Sequence, residues 1–311
     1  MLDILNKVKN QKVLLKELEN FEISLYIKRE DQIHPYISGN KYRKLKYNLL
    51  KAQEQEKKKL LTFGGAFSNH ISAVAFAGKE FEFETIGIIR GDELGQDLNK
   101  TLDQNITLRM AYEHGMKFKF VTRSDYRIKH TNEFIDDLHK EFGDFYLIPE
   151  GGTNKLAVKG CEEILKNNDE IFNVICCAIG TGGTISGIIN SAKAKQKVLG
   201  FPALKENFLH NEIEKYTILI KNWSLIRDYN FGGFGKVNSE LINFINEFKK
   251  ETGIPLDPIY TGKMMFGIVD LIQKGRFKKG TKILAIHTGG LQGIHGMNRR
   301  LKIKNLELIS I

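Results

Sequence analysis

Proline is scarce in this chain: five among 311 residues, with one tryptophan and three cysteines. A disordered linker would be rich in proline and glycine together. Here 29 glycines stand beside those few prolines, which points to special backbone turns inside a folded enzyme. The cysteines, Cys161, Cys176 and Cys177, are odd in number, and the adjacent pair lies in the apolar run VICCAI without metal-type spacing. That argues against a disulfide framework and against a metal site, and for a reducing cytoplasm. No apolar run approaches the ~18 residues of a membrane-crossing helix, so no membrane association is expected. The opening MLDILNKVKNQK is broken by charge every few residues, unlike a secretory signal.

What is present is a core and a basic surface. Hydrophobic residues make up 41% of the chain, enough for one large or two ordinary domains. Lys and Arg number 47 against 37 Asp and Glu, a formal charge of +10. The excess comes in short groups: Lys57-Lys58-Lys59, Lys249-Lys250, Lys278-Lys279 and Arg299-Arg300. No stripe interleaved with aromatics appears, so it reads as solvated surface and no nucleic-acid partner is expected. A basic nucleic-acid-binding protein is the rival from another class, and steep salt dependence would mark it.

Apolar strand-like runs alternate with helical ones, the pattern of an α/β protein with parallel sheets flanked by helices. FEISLYIKRE, KKLLTFGG, ETIGIIRG, MKFKFV, DFYLIPEGG, IFNVICCAIG and KILAIHTGG read as strands. Residues 41–59 read as an amphipathic helix with Tyr42, Leu45, Leu49 and Ala52 on one face. SNHISAVAFAGKEF reads as a second helix with Ser68 as its N-cap.

Four junctions carry chemistry. Ser38-Gly39-Asn40-Lys41 precedes a helix, and the macrodipole there disfavours an ammonium, lowering a lysine pKa as Schiff-base chemistry requires. The plain alternative is a lysine starting a basic helix, since Arg43, Lys44 and Lys46 follow. GTGGTISG, residues 180–187, follows an apolar strand and opens a helix, a cradle for phosphate. Its spacing fails the dinucleotide pattern at Ile185 and the nucleotide P-loop at Ile188. A tight structural turn is the alternative. Gly64-Gly65-Ala66-Phe67-Ser68-Asn69-His70 would suit a carboxylate, or be an ordinary capped helix with a solvated His70. His287-Thr288-Gly289-Gly290 ends a strand, where α/β ligand crevices lie. Tyr260 stands alone at a probable helix start. An aldehyde for Lys41, a phosphate for residues 180–187 and a ring nitrogen for Thr288 together describe pyridoxal 5'-phosphate.

The chain resembles the 1-aminocyclopropane-1-carboxylate deaminase / D-cysteine desulfhydrase group of fold-type II pyridoxal-phosphate enzymes. The match runs in order through KREDQIHPYISGNKYRKL (28–45), FGGAFSNH (63–70), IPEGGTN (148–154), GTGGTISG (180–187), LDPIYTGK (256–263) and IHTGG (286–290). The GNK-x-RKL and GG-x-x-SNH elements separate this branch from cysteine synthases and threonine dehydratases.

The resemblance implies a two-domain fold like the tryptophan synthase β subunit. A small domain, 45–152, would be inserted in a large cofactor-binding domain of 1–44 plus 153–311, and the protein would be a homodimer. It implies that Lys41 carries the cofactor and moves the substrate α-proton, that Asn69 meets the ring hydroxyl, and that Gly180, Thr181, Gly182, Gly183 and Thr184 bind the phosphate. Thr288 would meet the pyridine nitrogen. Lys41, Ser68 and Tyr260 become the catalytic candidates, with Ser68, Asn69, His70 and Tyr260 around a small amino-acid substrate. Ring-opening deaminases carry Glu after the tyrosine and Leu before the last Gly-Gly. This chain has Thr261 and Thr288, which favours D-cysteine over the cyclopropane acid. One departure stands out: Phe234-Gly235-Lys236-Val237-Asn238 occupies a segment of type Y-G-x-x-N, so a substrate-facing hydroxyl is missing. A relative that holds the cofactor without turnover is therefore a third reading. The loop FPALKENFLHNEIEKY has no place in the pattern.

Overall fold

Apolar runs bounded by glycine become parallel strands in the computed structural model, which describes residues 8–204, 209–218 and 222–310. Most of the opening stretch, residues 1–7, lies outside the described residues, as do 205–208 within the unplaced loop. Ten strands are described: β1 (Asn10–Lys12), β2 (Ser24–Lys28), β3 (Lys59–Gly65), β4 (Glu84–Arg90), β5 (Lys117–Val121), β6 (Tyr146–Ile148), β7 (Val174–Ile179), β8 (Lys197–Pro202), β9 (Trp223–Leu225) and β10 (Lys282–Ile286). Twelve α-helices are described between and after them: α1 (Asn40–Glu54), α2 (Asn69–Glu80), α3 (Leu98–Gln104), α4 (Ile106–Glu113), α5 (Arg123–Arg127), α6 (Asn132–Phe142), α7 (Lys155–Glu162), α8 (Gly183–Ser191), α9 (Leu209–Glu214), α10 (Ser239–Thr252), α11 (Thr261–Gln273) and α12 (Gly293–Ile303).

The strands form two sheets, ordered β1-β2-β10-β7-β8-β9 and β5-β4-β3-β6. All pairings are parallel except that of β1 with β2. Parallel sheets are covered on both faces, so their strands are apolar throughout. Strand β7 shows this: Val174, Cys176 and Ala178 face one core, and Ile175, Cys177 and Ile179 face another. The four-stranded sheet divides its side chains likewise, with Leu60 and Ile89 on one side and Leu61, Phe63, Ile86 and Ile88 on the other.

The local expectations mostly hold. Tyr42, Leu45, Leu49 and Ala52 are buried on one face of α1. The helix ends at Glu54 rather than 59, because Lys59 already begins β3. DFYLIPEGG gives only three strand residues, since Pro149 has no N–H for the ladder and a short 3-10 turn, Glu150–Gly152, follows. The larger finding concerns charge. Arg43, Lys44 and Lys46, which the sequence shows only as a basic run after Lys41, are buried. Arg43 reaches both carboxylate oxygens of Glu30 at 2.9 Å, and Lys46 lies 2.6 Å from Glu163. Helix α7 makes room for this layer: a Cβ on Gly160 would stand 2.0 Å from the Arg43 carbonyl oxygen.

Candidate functional site

Lys41 is the second residue of α1, as its flanking glycine suggested. Its amine donates to Asn40 Oδ1 at 3.2 Å. Its pKa falls to about 7, chiefly through burial and next through the charge of Lys44. Desolvation thus does most of what the sequence ascribed to the helix dipole.

Gly39 fixes where this lysine sits. It has φ +63°, and a Cβ there would stand 2.0 Å from the Thr288 carbonyl oxygen, so only glycine fits. The Asn40 N–H donates to that same carbonyl at 3.2 Å, and the Asn40 side-chain amide donates to Thr184 Oγ1 at 2.7 Å. One residue therefore ties the start of α1 to the turn after β10 and to the loop after β7.

That loop, Gly180–Thr184, opens α8 at Gly182 with no side-chain cap, leaving the first N–H groups of the helix available to an anion. Gly182 has φ +87°. Lys44 lies against the loop: its amine donates to Gly151 O at 2.9 Å, to Thr153 Oγ1 at 2.9 Å and to Thr181 Oγ1 at 3.3 Å. The Thr153 and Thr181 hydroxyls are 2.6 Å apart. Sequence reasoning passed over Lys44, although a residue three after Lys41 on a helix shares its face.

Ser68 caps α2 as expected, accepting from His70 N at 3.3 Å and Ile71 N at 3.4 Å. Its hydroxyl donates to no acceptor among the described residues. Asn69 is half-buried, and its amide makes no hydrogen bond among the described residues; a Cβ on Gly290 would stand 2.9 Å from its Nδ2. His70 is 1% exposed, which overturns the solvated alternative. Thr62 Oγ1 donates to Ile148 O at 2.9 Å and so accepts from His70 Nε2 at 2.8 Å. That favours the Nε2–H tautomer and leaves Nδ1 buried without a hydrogen-bond partner among the described residues. Burial first, then the charges of Lys41 and Lys44, hold the ring well below the usual histidine pKa.

Tyr260 stands just before α11, and its ring lies against the phosphate-type loop: a Cβ on Gly180 would stand 3.2 Å from the phenol oxygen. Asp257 fixes this turn, accepting from the N–H groups of Ile259, Tyr260 and Thr261 at 2.8–2.9 Å and from Thr261 Oγ1 at 2.6 Å. Thr261 is wholly buried, so its hydroxyl belongs to that turn. Burial, then Asp257, raises the Tyr260 pKa. Phe234 is 53% exposed and meets Tyr260 edge-on at 6.1 Å between centroids. Lys263 ties that glycine segment down, donating to Asn230 O and Gly233 O at 2.8 Å. His287 accepts from Gly289 N at 3.2 Å and shapes the last Gly-Gly turn. The candidates from all four junctions thus converge, with Lys44 and Asp257 added.

Among the described residues no group of three His, Cys, Asp or Glu is placed to hold a metal ion. No described helix is long and apolar enough to cross a membrane.

Known proteins share these features. The family profile described as pyridoxal-phosphate dependent enzyme matches residues 9–289. The chain is 32% identical to a Pyrococcus furiosus protein provisionally named 1-aminocyclopropane-1-carboxylate deaminase, covering 86% of this chain and 85% of that one. It is 30% identical to the mitochondrial bifunctional D-cysteine desulfhydrase/1-aminocyclopropane-1-carboxylate deaminase of Arabidopsis thaliana, covering 87% and 73%. A solved structure titled as an ACC deaminase homologue superposes with a TM-score of 0.78 at 27% identity, covering 96% of this chain and 98% of the other.

Proposed function

Because the chain belongs to the pyridoxal-phosphate-dependent enzyme family, we propose that it acts on D-cysteine, eliminating the β-thiol and releasing pyruvate, ammonia and sulfide. The residues fit the cofactor. An amine with a pKa of about 7 suits an aldehyde, and Lys44, Thr181 and the open start of α8 suit a phosphate. The observation that carries the reading is the coupling of Lys41 to both Thr288 and Thr184 through Asn40.

Bound pyridoxal phosphate supplies an electron sink for the pair left on the substrate α-carbon. Lys41 anchors it, and the Lys41 amine, about half of it neutral at pH 7, takes the α-proton as general base. Gly180–Thr184 would hold the phosphate, with the charge of Lys44 beside them and its three donors kept on Gly151, Thr153 and Thr181. Asn69 serves the ring hydroxyl, and Thr288 the ring nitrogen. Ser68 uses its free proton on the substrate carboxylate, beside Asn69 and His70. Tyr260 holds its phenol protonated next to the substrate, where its raised pKa suits a donor.

Two further elements belong to this reading. Residues 45–152, which contain the whole four-stranded sheet, form the small domain, although α1 runs unbroken across position 44. The protein works as a cytoplasmic homodimer.

A second reading, ring-opening deamination, is supported by the names of the relatives. Against it, Thr261 offers no carboxylate and is committed to Asp257. Purified protein mixed with pyridoxal phosphate is expected to turn yellow, and Lys41→Ala to stay colourless and inactive. D-cysteine should then yield sulfide and pyruvate in equal amounts. Turnover of the cyclopropane acid with none of D-cysteine would select the second reading.

A further inference from the structure

The Arg299-Arg300 pair, which read as plain surface charge, lines the wall of a cleft. The cleft has a volume of about 870 Å³ and runs between α12 on one side and the ends of β4 and α5 on the other. Arg90, Arg123, Arg127 and Lys129 line it with the α12 pair, against two carboxylates, Glu93 and Glu150. Those carboxylates are already occupied. Glu93 takes both terminal nitrogens of Arg123, and Glu150 lies 3.2 Å from Lys129 and accepts from the Tyr126 hydroxyl at 2.8 Å. Arg90, Arg127, Arg299 and Arg300 are left with no carboxylate partner among the described residues. Arg90 lies over the Tyr126 ring at 5.7 Å, and Arg299 and Arg300 donate to the carbonyls of Gln104 and Gly235. Each keeps donors to spare.

The cleft adjoins the candidate site. Its lining includes Gly65, Ala66 and Phe67, the turn that runs straight into Ser68 and Asn69. Glu150 on its wall precedes Gly151, whose carbonyl holds Lys44, and is near enough to Tyr260 to raise that phenol's pKa. An isolated surface arginine is unremarkable, but four unpaired guanidiniums facing one recess concentrate positive potential and attract anions of matching shape. A zwitterionic amino acid gains little from such a field, whereas one with an anionic substituent gains much.

Building on the proposed activity, we propose that this cleft is a subsite for an anionic β-substituent, so that the substrate class extends to β-substituted alanines whose leaving group is a phosphate or a similar oxyanion. The step balances. The α-proton goes to the Lys41 amine, the Cβ–O bond breaks with its electron pair on the departing phosphate, and water supplies the keto oxygen as ammonia leaves. Pyruvate, ammonia and phosphate are the products.

The test uses the cofactor-loaded protein, so that residues 180–184 are already filled. Inorganic phosphate is titrated by calorimetry into wild type, Arg90→Ala/Arg127→Ala and the double lysine variant. Wild type should bind it with an affinity that falls as salt rises. The alanine pair should bind about tenfold more weakly and the lysine pair near the wild-type level. In turnover, kcat/KM for O-phosphoserine, tested as both enantiomers, should drop about tenfold in the alanine pair, with D-cysteine within twofold. Unchanged phosphate binding in the alanine pair overturns the subsite, as does an equal loss for both substrates. If no amino acid is turned over at all, yet the alanine pair loses phosphate, the proposed activity fails and the anion subsite stands.

Discussion

Lys41 and Lys44 stand one helical turn apart, and each has a different use for its charge. Lys44 spends three hydrogen bonds on Gly151, Thr153 and Thr181, which keeps it over the loop that opens α8. Its charge helps to hold the Lys41 pKa at about 7, against 10.5 for a solvated lysine. The consequence has a definite sign. In the proposed role of Lys41 the neutral amine is the nucleophile, so the rate at which cofactor-free protein takes up pyridoxal phosphate should climb through pH 7 and level off above about pH 8. A lysine of ordinary pKa would still be climbing at pH 9. Lys44→Met should move the rise to higher pH and weaken the cofactor's hold; stopped-flow absorbance across pH 6–9.5 reads both. Stability follows the same titration. Between the folded pKa and the unfolded one the unfolded chain binds more protons, so Lys41 destabilises the cofactor-free fold below pH 7 and this penalty eases as pH rises.

At the scale of elements, helices and strands were legible wherever the signal is local. The 3.6-residue rhythm of α1 and the cap of α2 are written in neighbouring residues, and the glycine turns announce the strand ends. Lys41 and Ser68 stood out at their helix starts for the same reason, whereas Tyr260 became a candidate only through the resemblance. The burial of Arg43 and Lys46 could not be read, because their carboxylate partners lie at Glu30 and Glu163, on other elements. The pairing sets the mechanics of α1. Glu30→Ala leaves a guanidinium buried without its partner, and the expected loss is about 3–5 kcal/mol in urea unfolding of the cofactor-free protein. Gly160→Ala tests the same layer from α7, pressing a methyl against the Arg43 backbone, and should destabilise by about 1–3 kcal/mol as overpacking does. Lys44 was missed because a buried lysine and a surface lysine look the same in a basic helix.

At the scale of the whole molecule, what the sequence hid is adjacency. β10 pairs β2 in parallel, Lys282 beside Ser24 and Ile286 beside Lys28, and no local pattern announces a partner at that remove. The α/β class was readable from alternation, and one shared ligand from the chemistry of the junctions, whereas their order and roles came only through a resemblance. Since the site gathers segments from both ends of the chain, a ligand bound there should brace the entire fold. Pyridoxal phosphate at 100 times its dissociation constant adds about 2.7 kcal/mol. A melting curve should therefore shift upward by several degrees in wild type and by much less in Lys41→Ala, where only the anion cradle remains.

The alternation along β7 has one more outcome. Cys176 and Cys177 are neighbours in sequence yet look into separate cores, and both thiols are fully buried with pKa values pushed up by burial. Cys161 adds a third sealed thiol on α7. Oxidants and alkylating reagents attack the thiolate, which these positions suppress until the sheet itself opens. The protein therefore carries an internal clock. The pace at which an aromatic disulfide reagent titrates its three sulfurs counts excursions of the six-stranded sheet, one face at a time.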